Sequence, residues 1–102
     1  MPRSVRKTSL ETRAARLANK IRRAPYYVKI AKGLHLGYYR GSASGSWIAR
    51  RYRVGGVYET DTLGGADDTL DADGIKVLDF WQAQDAAKKW AEHQRLIDES
   101  QE

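Results

Sequence analysis

The sequence predicts an α+β fold: a three-stranded antiparallel β-sheet packed on one C-terminal α-helix, preceded by a basic arm. Three observations carry this. Three runs of β-branched and aromatic residues follow one another with glycine-containing links, the pattern of hairpins. One strongly amphipathic, capped helical segment follows them. Charge is segregated as well: residues 1–53 hold fourteen of the eighteen Lys/Arg and one acid, Glu11, whereas residues 54–102 hold four bases and twelve acids. Such asymmetry favours an anionic partner for the basic half.

Taken in order, residues 1–8 offer almost nothing to bury and are expected as a mobile tail. Thr8-Ser9-Leu10-Glu11 has the form of a capping box, and Leu10, Ala14, Leu17 and Ile21 recur at helical spacing with Arg13, Arg16 and Lys20 opposite. A short helix over 9–21 is expected, ended by Pro25. Tyr26 to Ile30 is extended, which completes an arm over 1–32. The domain proper is placed at 33–98. Its strands are Leu34 to Arg40, Trp47 to Arg53 and Tyr58 to Leu63, with a loop at 64–76. Asp79-Phe80-Trp81-Gln82 then opens a helix whose stripe is Phe80, Ala83, Ala87, Trp90, Gln94 and Ile97, with residues 99–102 as a frayed tail.

One helix covers one face of a sheet and leaves the other in solvent. Alternation along Trp47 to Arg53 sends Trp47 and Ala49 to the helix and Arg50 and Tyr52 outward. Arg51 then points inward unless a bulge intervenes. On the third strand Tyr58, Thr60 and Thr62 face solvent, and Glu59 and Asp61 sit inward near the edge. On the first, Leu34 and Leu36 share parity with Tyr38 and Arg40, and Gly37 is a point where that parity can reset. An exposed sheet face bearing arginines suits a DNA groove, because the guanidinium fork matches phosphate and guanine edges alike. An ordinary charged surface is the plainer alternative, and buried sheet tyrosines the plainer reading of Tyr26, Tyr27, Tyr38, Tyr39 and Tyr52.

From Leu10 onward the chain resembles the N-terminal arm-type DNA-binding domain of phage-like tyrosine recombinases (integrases). The stretches that carry the likeness are LETRAARLANKIR, PYYVKI, GLHLGYYRG, GSWIARRYR, LGGADD and LDFWQAQDAAKKW. A more distant likeness is to the plant ethylene-response-factor DNA-binding domain, through Tyr39-Arg40-Gly41, Trp47-x-Ala49, Leu63-Gly64 and the Ala-rich helix. The resemblance implies a sheet lying in the major groove, as the accessory module that holds arm sites of a site-specific integrase. It implies DNA contact by Arg40, Arg50, Tyr52, Thr60 and Thr62, and it supports the reset near Gly37; Arg53, at the end of the middle strand, is a further expected DNA contact. Arg51 departs from the usual apolar residue, and Thr60 and Thr62 replace larger groups. From the arm, Arg22, Arg23, Lys29 and Lys32 are expected to grip phosphate.

Other chemistries are set aside on the residues present. The recombinase catalytic set is missing: His93-Gln94-Arg95 lacks the H-x-x-R spacing, and 102 residues leave no room for a second domain. A detached, non-catalytic domain is expected. Asp71-Ala72-Asp73-Gly74 resembles part of a calcium loop, but Thr69 and Phe80 stand where ligands belong. His35 and His93 are too isolated for zinc, and Cys is absent, so no cofactor, metal or disulfide is expected. No apolar run approaches the roughly 20 residues of a membrane span. A monomeric protein of the bacterial cytoplasm is expected, with double-stranded DNA as partner. Integrase subunits or a directionality factor are further partners. Two alternatives stay open: a protein-interaction module of a recombination complex, and a free-standing excision or transcription factor of the same fold.

Overall fold

The computed structural model describes residues 10–41, 44–53 and 55–100. In chain order these form helix α1 (Arg13–Leu17), strands β1 (Tyr26–Ala31), β2 (Leu34–Arg40), β3 (Gly45–Arg53), β4 (Val57–Ala66) and β5 (Val77–Leu78), and helix α2 (Phe80–Ser100). The fold is α+β. The sheet has five strands rather than three, in the order β1-β2-β3-β4-β5, antiparallel up to β4 and parallel between β4 and β5.

Each additional strand has an identifiable cause. The extended arm segment is the edge strand β1, because Tyr26 and Val28 face Tyr38 and Leu36 across the ladder and pack on the same core. Its link to β2 is the tight Lys32-Gly33 turn, with Gly33 at φ 69°. At the other end β4 runs on through Gly64 and Gly65, where a loop was expected. A Cβ on Gly64 would lie 3.0 Å from the Lys76 carbonyl oxygen, so the missing side chain admits β5 alongside. Gly65 donates its N–H to that same oxygen at 2.8 Å. Asp73 steers the chain there: one carboxylate oxygen accepts from the N–H groups of Ile75, Lys76 and Val77 at 2.8, 2.9 and 3.0 Å. These bonds, that of Val77 foremost, hold its pKa below the usual carboxylate value.

α2 lies across β2 to β5 on one face of the sheet. Leu36, Tyr38, Trp47, Ala49, Phe80, Ala83 and Ala87 form the centre of the core. Trp47 stacks at a tilt between Tyr38 (5.4 Å) and Phe80 (6.1 Å), and its indole N–H donates to the Leu78 carbonyl at 2.7 Å. The expected capping box at the start of α2 is present: Gln82 N–H donates to Asp79 Oδ1 at 2.8 Å and Asp79 N–H to Gln82 Oε1 at 3.0 Å. Asp79→Ala should remove about 1 kcal/mol of stability, read as a drop of several degrees in thermal melting. α2 also runs a turn past the expected end at Ile97. Asp98 there binds Arg51 at 2.7 Å and Arg53 at 3.1 Å, and Glu59 completes the group at 2.8 Å from Arg51. Arg51 therefore does point inward, and charge partners from β4 and α2 meet it.

α1 departs from expectation in length and in face. It has five residues and is capped by Thr12, whose hydroxyl accepts from Ala15 N–H at 3.1 Å; Thr8 lies outside the described residues. Arg16, expected in solvent, is 1% exposed, whereas Leu17 and Ile21 are exposed. The reason is a distant pair of acids. Arg16 donates to Asp68 at 3.0 Å, to Asp67, and to the Leu10 carbonyl at 3.1 Å, with its guanidinium over the Trp47 ring at 5.1 Å. Among the described residues no helix is long and apolar enough to cross a membrane.

Candidate nucleic-acid interface

The face of the sheet turned away from α2 is fixed by the strand registers. Lys29 pairs with His35, His35 with Arg50, and Arg50 with Thr60, so these four share one face across β1 to β4. Tyr27 and Gly37 join them, as do Ile48 with Thr62 and Tyr52 with Tyr58. No Asp or Glu occupies this face among the described residues. Glu59 and Asp61 alternate to the helix side, opposite Arg51 and Ala49. The remaining described acids belong to α2, to the chain before β1, or to the segment between β4 and α2.

Arg50 is the centre of the face. Its guanidinium lies over the Tyr27 ring at 3.9 Å and over the Tyr58 ring at 4.6 Å. Its Nε is buried and without a hydrogen-bond partner. Tyr27 reaches it because Gly37 has no side chain: a Cβ there would sit 2.6 Å from the ring. Tyr58 is braced in turn by Tyr52, edge to face at 5.4 Å. Cation–π attraction to a desolvated guanidinium is worth about 2 kcal/mol, and it holds a long side chain in one place without a carboxylate.

Of the residues expected to contact DNA, Lys29, Arg50, Tyr52, Thr60 and Thr62 come together on this face. Arg40 and Arg53 do not. β2 pairs with β3 without a break through Gly37, so Arg40 lies opposite Gly45 with the parity of Tyr38 and Trp47. The register shifts elsewhere, between Lys29 and Ala31 and between Trp47 and Ile48. Arg53 has the helix-side parity of Arg51 and binds Asp98. Arg22 stacks over Tyr26 at 3.6 Å and donates to the Ala24 and Pro25 carbonyls, while Arg23 and Lys32 are exposed. Tyr27 and His35 are additions to the site. Their signal in the sequence is alternation through Tyr27, Lys29 and then His35, readable once β1 is paired with β2.

Two neighbouring features are less coherent. A groove of about 350 Å³ between the β1–β2 turn and α2 is lined in part by Lys32, Arg51, Lys88 and Arg95. Both arginines are already bound to carboxylates, Arg51 to Glu59 and Asp98, Arg95 to Glu92 and Glu99. Leu70 and Ile75 are exposed beside the acidic segment, far from any basic face in sequence. The outer sheet face is thus the surface on which unpaired cation, aromatic rings and hydroxyls converge. No protein-family model, curated protein or solved structure matches the chain.

Proposed function

We propose that the chain binds double-stranded DNA sequence-specifically by laying the outer sheet face in the major groove. In this reading it is the arm-site-binding domain of a site-specific tyrosine recombinase and performs no chemistry itself. The observation that supports it best is the acid-free face with Arg50 unpaired at its centre. A surface arginine in a soluble domain is commonly neutralised nearby, as Arg13, Arg16, Arg51, Arg53 and Arg95 are here. Three adjacent strands, β2 to β4, span about 10 Å at the usual interstrand spacing, against a groove about 12 Å wide. β1 then lies at the groove wall, where Lys29 meets phosphate.

Base reading falls chiefly on Arg50, supported by Tyr52 and by the hydroxyls of Thr60 and Thr62. Arg40 and Arg53 drop out of the groove and Arg23, Lys29 and Lys32 are left for the backbone. With about three phosphates neutralised, log K should fall against log salt with a slope near −3, measured by fluorescence anisotropy on labelled duplexes. A slope near zero would sink the reading. In an NMR titration the amides of β2 to β4 should shift while those of α2 stay still. Shifts confined to α2, produced by a protein partner and not by duplex, would instead favour a protein-docking module.

A further inference from the structure

Resting on the DNA reading above, we propose that His35 is an additional contact residue of the interface. Its imidazole is neutral, carries its proton on Nε2, and donates that N–H to an acceptor atom of the bound duplex.

The argument starts from position. In the ladder His35 faces Lys29 on one side and Arg50 on the other, and the edge-on Tyr27 ring lies 6.4 Å away. Lys29 and Tyr27 from β1 and Arg50 from β3 are the charged or titratable groups that face it; α2 packs on the opposite side of the sheet. Its Nδ1 is buried and has no hydrogen-bond partner. An imidazolium carries N–H on both nitrogens, and the other neutral tautomer carries it on Nδ1. Either form would bury an unpaired donor, which is costly. A bare lone pair at Nδ1 is unpaired too, but the positive field of Lys29 and Arg50 offsets its cost, whereas the same field adds to the cost of a buried N–H. The proton therefore belongs on Nε2, the nitrogen left to meet a ligand. Burial first, then Arg50 and Lys29, push the pKa of His35 below its ordinary value, in keeping with a neutral ring.

A neutral donor between Lys29 and Arg50 suits an electronegative ligand edge without adding to the charge of the face. It differs from its neighbours in a measurable way: it supplies a hydrogen bond but releases no counterion. The acceptor is a phosphate oxygen or a base-edge atom, and the two separate by sequence dependence.

The test uses the whole chain with a panel of single-base-pair variants of a bound duplex. Ring ¹⁵N spectra of the free protein at neutral pH should show the neutral Nε2–H form; an imidazolium or an Nδ1–H ring overturns the proposal. His35→Gln sets an amide N–H₂ near the Nε2 position and should bind within about threefold of the original chain. His35→Asn and His35→Ala, which lack a donor there, should each lose about tenfold, the effect of one hydrogen bond. None of the three should change the salt slope, whereas Lys29→Ala should flatten it by about 0.9. Loss equal on all duplexes marks phosphate, and loss confined to one base pair marks a base edge; both support the contact. If folded His35→Asn and His35→Ala bind as tightly as the original, the contact alone is overturned. If the original chain binds no duplex, the DNA reading falls and this contact with it.

Discussion

Asp68→Ala should cost about 3–5 kcal/mol of folding stability, the usual penalty for stripping one partner from a buried ion pair. Asp68 is 4% exposed and Arg16 is 1% exposed. One oxygen of Asp68 accepts from Arg16 Nε at 3.0 Å; the other accepts from the Tyr38 hydroxyl at 2.5 Å and the Gly45 N–H at 3.0 Å. Removing the carboxylate strands three buried donors together. Asp67 still reaches Arg16 but is placed at the margin of the network, and it offers nothing to Tyr38 or Gly45. Tyr38 itself reports the network: burial, then its bond to Asp68, raises its pKa well above the ordinary phenol value. At roughly 4–8 °C per kcal/mol for a domain of this size, the melting temperature should fall by upwards of about 12 °C. The control is Asp71→Ala, which removes a fully exposed side chain that also binds an arginine, Arg13 at 3.3 Å. That variant should melt with the original. Equal melting of the two variants would show that the buried network contributes nothing.

This network changes the meaning of the charge split. Arg13 and Arg16 from the basic half bind Asp67, Asp68 and Asp71, and Arg51 and Arg53 bind Asp98. The acidic half is the internal counter-charge of the helix side of the sheet. On the other side Arg50 and Lys29 meet no carboxylate among the described residues. Net charge pointed toward nucleic acid, but the selective pairing of arginines leaves a particular face free to meet it.

The legible parts of the fold are those whose causes are local. α2 was readable because a cap, a glutamine three residues on and an apolar stripe lie within one segment. Alternation also placed Arg50, Tyr52, Thr60 and Thr62 outward, since β3 and β4 obey period two over those residues. Long-range causes were not readable. Arg16 looked solvent-facing because arginines usually are, and its partners lie more than fifty residues along the chain. β5 is two residues, held by Lys76 and Leu78 carbonyls that accept from Gly65 and Asp67, and carries no pattern of its own. At Gly37 plain alternation holds, and the reset read from the glycine and supported by the resemblance does not occur. The glycine serves the Tyr27 ring rather than the strand's parity.

That role of Gly37 makes the second large effect separable into two variants. Arg50→Ala should weaken binding by about 1–3 kcal/mol, or roughly five- to 150-fold, with most of the discrimination lost at one base pair. Arg50→Lys should not restore it, because a point charge on a flexible stem neither lies flat between Tyr27 and Tyr58 nor forms the bidentate fork. Gly37→Ala keeps Arg50 but brings a Cβ within 2.6 and 2.9 Å of two Tyr27 ring atoms, so the ring must leave β2 and one wall of the cage opens. An arginine freed on one side regains part of the roughly 2 kcal/mol of rotamer entropy that its side chain carries, and binding must restrict it again. Gly37→Ala should therefore lose affinity several-fold while keeping the base preference of the original chain. Anisotropy titrations against single-base-pair variants read both effects. If Arg50→Ala weakens every duplex equally, as Lys29→Ala should, Arg50 is a phosphate clamp. If it weakens none, the outer face is not the DNA-binding surface.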